Sequence, residues 1–174
     1  NPKGLQDDLA MMRDLGVEGL YYGGYGYATF HFADALKALD WDPPRVMGTA
    51  FMFYSNSNRW AEGLEGWHGV DQLGEDGANP NYEAMIDRFT KRFGRTTRNV
   101  VVALAYDTAR VAIHGIGNAA IPTPRHVKEG MERIRWMPAT NGGPGTYIQF
   151  GPYDRKGYKG DLLTIRELRG GELR

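Results

Sequence analysis

A glycine–tyrosine stretch carries the residue types best suited to binding. Residues 20–27 are Leu-Tyr-Tyr-Gly-Gly-Tyr-Gly-Tyr and lie between two segments with helical spacing. A strand that runs through glycines into a helix start exposes unpaired backbone N–H groups beside aromatic rings. Such a turn can receive an anionic group, while the tyrosines cover an apolar body. The alternative is that the glycines make only a tight connection and the tyrosines belong to the core.

A second aromatic stretch closes the next predicted strand. Residues 49–54 are Thr-Ala-Phe-Met-Phe-Tyr. Ligands of parallel sheets bind beyond the carboxyl ends of the strands, so the two stretches are predicted to form one pocket wall. Phe51 and Phe53 have an alternative role in the core, because apolar strand residues usually pack inward. Tyr25 is the stronger candidate, since it follows its strand rather than lying within it.

Patterns typical of catalysis or metal binding are missing. The four histidines lack metal-ligand spacing, and His31 lies between Phe30 and Phe32, where packing or surface exposure is the favoured role. The sequence has neither a nucleophile-elbow motif nor a Walker motif, and the glycines at 24 and 26 lack the rest of a dinucleotide fingerprint. We therefore predict no enzyme activity, no catalytic residue, no metal and no cofactor.

Composition excludes several further classes. The 174 residues include 21 basic and 21 acidic side chains, so no excess of positive charge indicates nucleic-acid binding. Cysteine is absent, which removes disulfides and thiol chemistry. The apolar share of 41% is typical of a globular protein, and no apolar run approaches the roughly 20 residues that span a bilayer. We expect no direct membrane insertion.

Hydrophobic spacing predicts an α/β segment followed by a mostly helical one. Helix, strand, helix, strand is the order typical of a parallel sheet with covering helices. Glycine, aspartate, asparagine and proline then mark a connector over residues 74–80, after which helices dominate. The predicted helices cover residues 4–15, 28–39, 81–93, 99–118 and 123–136, and the predicted strands cover residues 17–22, 45–53, 67–73, 146–150 and 161–168.

An ordered series of short motifs resembles a known family. The motifs are Tyr-Tyr-Gly-Gly-Tyr at 21–25, Arg-Val-Met-Gly at 45–48, Glu-Gly at 65–66, Asn-Pro at 79–80, Ala-Tyr-Asp-Thr-Ala at 105–109 and the turn at 151–157. In this order they resemble the later half of branched-chain amino-acid-type (leucine/isoleucine/valine-binding) periplasmic solute-binding proteins of ABC importers. The resemblance implies a partial type I periplasmic-binding-protein fold, with Rossmann-like parallel sheets and flanking helices.

The resemblance also implies two lobes. Residues 1–73 would form the second-lobe α/β segment, residues 74–158 a mostly helical first-lobe segment, and residues 159–174 the return to the second lobe. The sheet of the first lobe would lie before Asn1. Uncovered sheet edges and apolar faces would then favour self-association of the chain alone.

Ligand contacts follow from the resemblance at matching positions. It implies contacts from Tyr25 with the adjoining Gly24, and from Val101 near the ligand side chain. Amino-acid-binding members have, at the position of Ala50, a glutamate that pairs with the ligand ammonium. Ala50 cannot replace it, and an unpaired buried ammonium costs several kcal/mol. The run Phe51 to Tyr54 favours an apolar or aromatic ligand, such as an aromatic carboxylate, over an ordinary branched-chain amino acid.

Two binding functions and one enzymatic function stay open at this point. The first is an exported periplasmic or cell-surface receptor that binds an amino-acid-like or aromatic carboxylate between two lobes and delivers it to an ABC permease. The second is a cytoplasmic ligand-sensing regulator on the same fold, of the amide-responsive type. The third, an enzyme with a Rossmann-like site, is the least favoured because no nucleophile or metal set is present.

Overall fold

The chain forms two compact units. A computed structural model describes residues 2–24, 28–51, 64–72 and 79–174. Unit 1 comprises Asn1–Asp71 and Ile165–Arg174, and unit 2 comprises Gln72–Thr164. The predicted assignment of residues 1–73 and 159–174 to one lobe and of residues 74–158 to the other stays a prediction.

Helices and strands alternate in the first part of the chain, and helices dominate the middle. In chain order the described elements are α1 (Pro2–Asp14), β1 (Leu20–Tyr22), α2 (Ala28–Ala38), β2 (Arg45–Met47), β3 (His68–Asp71), α3 (Pro80–Phe93), α4 (Val100–Gly117), α5 (Pro124–Met131), β4 (Met137–Pro138), β5 (Tyr147–Ile148), β6 (Tyr158–Lys159), β7 (Thr164–Arg169) and β8 (Glu172–Leu173).

A five-stranded sheet of order β1-β2-β3-β7-β8 organises unit 1. Strands β1 and β2 are parallel, with Leu20 opposite Arg45 and Tyr22 opposite Met47. Strands β2 and β3 are also parallel, whereas β7 and β8 form an antiparallel pair. Helices α1 and α2 connect into this parallel arrangement, so the predicted α/β class is confirmed.

The core of unit 1 lies against this sheet. Tyr22, Phe32 and Trp67 contact one another through their rings, with centroids 5.0 to 6.3 Å apart. Tilted and edge-on ring contacts of this kind add to the free energy gained by burying the rings. The buried residues of the cluster are Leu9, Phe32, Ala35, Leu36, Met47, Ala50, Phe51, Leu64, Trp67 and Leu168.

Helix caps connect distant parts of unit 2. The side chain of Asn79 accepts hydrogen bonds from the N–H groups of Asn81 at 3.0 Å and Tyr82 at 3.4 Å, which caps α3. Its amide also donates to three carbonyls between residues 139 and 142. At the other end of α3, Gly94 has φ +67°, a left-handed conformation that glycine adopts without steric cost.

A buried carboxylate forms the polar centre of unit 2. Asp107 on α4 is 1% exposed. Its Oδ2 accepts from the N–H of Thr140 at 2.8 Å and from the hydroxyl of Tyr158 at 3.1 Å. Oδ1 accepts from Arg110 at 3.1 Å. These bonds connect α4 to the antiparallel sheet β4-β5-β6 and to the loop before β5.

Helix α4 is long and apolar. It has 18 residues with a mean hydropathy of 1.3 and 22% of them buried, so by length and composition alone it could cross a membrane. A polar residue at its middle, Asp107, is hydrogen-bonded to Thr140 and Tyr158, so the helix is tied to the rest of unit 2.

Two predicted elements end five or more residues earlier than their sequence patterns indicate. The strand predicted over residues 45–53 ends at Met47, because Phe51 donates its N–H to the Gly48 carbonyl at 3.1 Å and closes a turn. Residues 52 and 53 lie outside the described part of the chain. The helix predicted over residues 123–136 ends at Met131. Beyond it the chain makes tight turns and then bends at Trp136, whose φ is +53°.

The start of α5 also differs from the prediction. Thr123 occupies the N-cap position, but its side chain makes no cap hydrogen bond. Its hydroxyl lies 2.7 Å from Nδ1 of His126 instead. Pro124 occupies the first helical position, where its missing N–H needs no partner.

Candidate functional site

The carboxyl ends of β1 and β2 meet at one edge of the unit 1 sheet. Tyr22 and Met47 are opposite each other in the parallel register. The N–H of Gly48 donates to the Tyr22 carbonyl at 3.1 Å and extends the pairing by one residue. Gly23 and Gly24 follow one strand, and Thr49 to Phe51 follow the other. The two stretches singled out in the sequence therefore begin side by side.

Glycines at this edge allow tyrosine side chains to approach the backbone. A Cβ on Gly24 would lie 2.4 Å from the hydroxyl oxygen of Tyr22, so a side chain at that position would displace the Tyr22 ring. A Cβ on Gly48 would lie 3.2 Å from the hydroxyl oxygen of Tyr21. Tyr21 is 75% exposed, whereas Tyr22 is half-buried against the ring of Phe32. The edge thus presents one tyrosine to solvent and encloses the other.

The predicted site residues occupy different environments. Gly24 is half-buried at the sheet edge, and Tyr25 lies outside the described residues. Ala50 and Phe51 are 1% and 0% exposed and belong to the core of unit 1. Val101 belongs to unit 2, where it is 44% exposed in the first turn of α4. The ligand-binding role of these five residues stays a prediction.

Phe51 fills space that a glycine in β3 leaves open. A Cβ on Gly69 would lie 2.1 Å from Cγ of Phe51, so the ring lies directly on the backbone of β3. This is the core role that the sequence left open for Phe51. The turn after β2 is consequently packed on the neighbouring strand, and the sheet edge is held by side-chain packing as well as by backbone pairing.

A buried ion pair at the end of β3 was not singled out by sequence reasoning. Asp71 is fully buried, and its Oδ2 lies 4.0 Å from Nη1 of Arg166, which is itself 11% exposed. The alternation of Trp67, Gly69 and Asp71 on the buried side of β3 is the signal that could have identified it, because period 2 places Asp71 inward. The pair places a carboxylate at the carboxyl end of β3, where the guanidinium of Arg166 balances its charge.

Glu65 fastens the β7–β8 turn to the chain before β3. Its two carboxylate oxygens accept hydrogen bonds from the N–H groups of Gly170 at 2.6 Å and Gly171 at 3.2 Å. These backbone hydrogen bonds hold the pKa of Glu65 below its usual range. The contact holds the β7–β8 turn against the residue before β3. Glu65 is far in sequence from the glycine–tyrosine stretch.

Metal-binding groups are not assembled in the described parts of the chain. No cluster of three or more histidine or acidic side chains occurs there that could hold an ion. His31 is exposed on α2, one of the two roles expected from its position between phenylalanines. The sheet edge presents backbone ends and aromatic rings.

A family model decides the classification. The model described as "Periplasmic binding protein" matches residues 8–162. The chain belongs to the periplasmic binding protein family. This match confirms the resemblance inferred from the motifs. A separate comparison with curated proteins finds no match.

Solved structures of periplasmic binding proteins share the fold. A leucine-binding protein from Thermotoga maritima has a TM-score of 0.76 at 14% identity, covering 98% of this chain and 47% of that one. A type 1 periplasmic binding protein from Bordetella pertussis has a TM-score of 0.76 at 17% identity, and the match covers 95% of this chain and 47% of that one. A solute-binding protein from R. palustris in complex with benzoate has a TM-score of 0.72 at 14% identity, and the match covers 98% of this chain and 45% of that one. The chain spans about half the length of these structures, and the predicted partial fold is confirmed.

Proposed function

We propose that the chain is part of the solute-binding component of an ABC importer. The observation that carries the proposal is the family match over residues 8–162. The meeting of two strand ends, glycines and tyrosines at one edge of the unit 1 sheet adds support, because ligands of parallel sheets bind beyond the carboxyl ends of the strands. The role is binding without catalysis.

The ligand in this proposal is a small carboxylate with an aromatic or amino-acid-like body. The backbone N–H groups after β1 would receive the carboxylate, and the tyrosines would cover the apolar body. Ala50 provides no charge for an ammonium group, which favours an aromatic acid over leucine. Proteins with this fold include one in complex with benzoate and one in complex with leucine, so the fold accommodates both chemistries.

Transport would follow from closure of two lobes around the ligand. Hinge closure converts binding energy into a change of shape that a permease can distinguish. In this proposal the complete protein works outside the cytoplasm, in the periplasm or at the cell surface, and its macromolecular partner is an ABC permease. A cytoplasmic regulator on the same fold would bind its ligand in the same manner but without a permease.

Titration calorimetry on the complete protein that contains these 174 residues tests the proposal. We expect saturable binding of benzoate, binding of L-leucine that is weaker by at least about tenfold because no carboxylate replaces the missing glutamate, and unchanged ligand after long incubation. Tight leucine binding without benzoate binding would overturn the ligand class. Chemical conversion of either compound would overturn the binding function itself.

A further inference from the structure

A basic cleft lies entirely within unit 2. Its volume is about 460 Å³, within the range of roughly 300 to 1,000 Å³ that is typical of small-molecule sites. The cleft is formed by the second half of α4 and by the segment between α5 and β4. Its polar and aromatic lining consists of Arg110, His114, Asn118, Arg133, Arg135 and Trp136.

Backbone carbonyls hold the arginines of this cleft in place. Nη1 of Arg133 donates to the carbonyl of Asn118 at 3.2 Å. Nη1 of Arg135 donates to the carbonyls of Glu132 at 2.7 Å and Ile134 at 2.9 Å. These bonds orient the guanidinium groups, but a carbonyl does not neutralise their charge. The side chains are therefore arranged before any ligand arrives, which lowers the entropic cost of binding.

Two of the three arginines have no acidic partner among the described residues. Arg110 forms an ion pair with the buried Asp107 at 3.1 Å, whereas Arg133 and Arg135 form none in that part of the chain. The nearest acidic residue in sequence, Glu132, is paired with Lys128 at 3.0 Å and with Arg155. Two positive charges consequently face the cleft without compensation.

Trp136 places an exposed aromatic surface next to these charges. It is 68% exposed and lies on the ring of Tyr147, with centroids 4.2 Å apart and an angle of 32° between the planes. Its φ of +53° is a left-handed conformation that costs a bulky residue free energy. Backbone conformations of this kind are concentrated at functional sites.

We propose that this cleft binds a small aromatic dicarboxylate. Each carboxylate would accept paired N–H groups from one guanidinium, the geometry in which arginine binds carboxylates most strongly. The aromatic ring of the ligand would stack on the indole of Trp136. The site lies within unit 2 and does not depend on the sheet edge of unit 1, so the inference does not rest on the proposed transport function.

Calorimetric titration of the complete protein with phthalate tests the site. We expect Arg133→Gln to raise the Kd at least about tenfold, because it removes one charge-assisted pair of hydrogen bonds. Trp136→Gly should raise the Kd as well, with a melting temperature close to that of the unaltered protein, because glycine adopts φ +53° freely and this offsets the lost contact with the ring of Tyr147. Arg92→Gln, which changes an exposed arginine on α3, is the matched control and should leave the Kd unchanged.

Three results would overturn the proposal. The first is no phthalate binding at millimolar concentration, and the second is an equal Kd for Arg133→Gln and Arg92→Gln. The third is loss of phthalate binding in Tyr25→Ala, which would assign the ligand to the edge of unit 1. Persistence of phthalate binding in that variant, with loss in Trp136→Gly, would support a site separate from the proposed transport ligand.

Discussion

Asp107 illustrates how one buried charge can organise a unit. Its carboxylate accepts hydrogen bonds from a backbone N–H, a hydroxyl and a guanidinium while it is only 1% exposed. A buried carboxylate is tolerated only where such partners replace water. The family-type motif at residues 105–109 thus has a structural reason within unit 2, independent of any ligand.

Replacing this carboxylate should destabilise the protein strongly. Asp107→Ala leaves the N–H of Thr140 and the hydroxyl of Tyr158 without their acceptor, and we expect the free energy of unfolding to fall by about 3 kcal/mol or more. Urea denaturation followed by circular dichroism measures the change. Asp87→Ala, at an exposed position on α3, should change it by less than about 0.5 kcal/mol. Equal effects of the two substitutions would contradict the assignment.

Tyr158 makes the stability sensitive to alkaline pH. Burial and the neighbouring Asp107 carboxylate raise the pKa of its hydroxyl above the ordinary value. The unfolded chain releases the tyrosine proton at about pH 10, whereas the folded chain still retains it. The contribution of Tyr158 to the free energy of unfolding is therefore fully present below pH 10 and decreases as the pH rises above that value.

Alkaline titration of stability tests this assignment. We expect the melting temperature of the unaltered protein to fall more steeply above pH 10 than that of Tyr158→Phe, since phenylalanine has no proton to release. The other tyrosines titrate in both proteins, so the difference between the two curves isolates Tyr158. Parallel curves would show that the pKa of the Tyr158 hydroxyl is the same in the folded and unfolded states.

At the scale of elements, close packing of a strand on a turn holds the candidate sheet edge. Gly69→Ala would place a Cβ 2.1 Å from the Phe51 ring, and we expect a loss of about 1–3 kcal/mol or more in the free energy of unfolding. Gly4→Ala is the matched control, because nothing lies within 4 Å of its added Cβ in α1. Gly4→Ala should raise the free energy of unfolding by up to about 1 kcal/mol, because alanine favours the helix more than glycine does. Thermal denaturation of both variants measures the contrast, and destabilisation by both would contradict it.

The elements that sequence predicted well are those with strong periodicity. Helix α3 is predicted within one residue of its observed bounds, Pro80–Phe93, because Asn79 caps it and Gly94 ends it. Strands β4 and β6 were not predicted, since two-residue strands such as Met137–Pro138 have no measurable alternation. Their pairing is decided by long-range contacts that a local pattern does not contain.

The candidate site shows the same contrast between features set by local patterns and features set by long-range contacts. The adjacency of the two strand ends could be predicted, because a parallel order fixes which ends are neighbours, whereas the binding role of this edge stays a prediction. It did not identify the ion pair of Asp71 and Arg166, whose members are 95 positions apart in sequence. Nor did local periodicity decide whether Phe51 faces a ligand or the core, since that depends on Gly69 in the neighbouring strand.

At the scale of the whole molecule, the chain corresponds to about half of the solved structures that share its fold. Helix α4 exposes large apolar side chains within unit 2, among them Val101, Ile113 and Ile116 at 44%, 68% and 55% exposure. This chain covers only 47% and 45% of two solved structures with this fold, so those proteins contain further chain.

We expect the 174 residues expressed alone to self-associate. Burial of exposed apolar side chains gives roughly 25 cal/mol per Å², enough to favour association of uncovered faces. Sedimentation at increasing concentration measures the mass, and a variant with Ile113→Lys and Ile116→Lys should shift it toward the monomer. A monomer at every concentration for the unaltered chain would contradict the expectation.

In the proposed receptor, the glycine–tyrosine edge forms a wall of the ligand site. The most direct measurement is the Kd for benzoate of the complete protein and its Tyr25→Ala and Tyr153→Ala variants, with the melting temperature of each without ligand. Tyr153 is a fully exposed tyrosine and serves as the control. We expect Tyr25→Ala alone to raise the Kd at least about fivefold and to leave the melting temperature nearly unchanged. An unchanged Kd, or a lowered melting temperature with no loss of affinity, would contradict it and assign Tyr25 to the core.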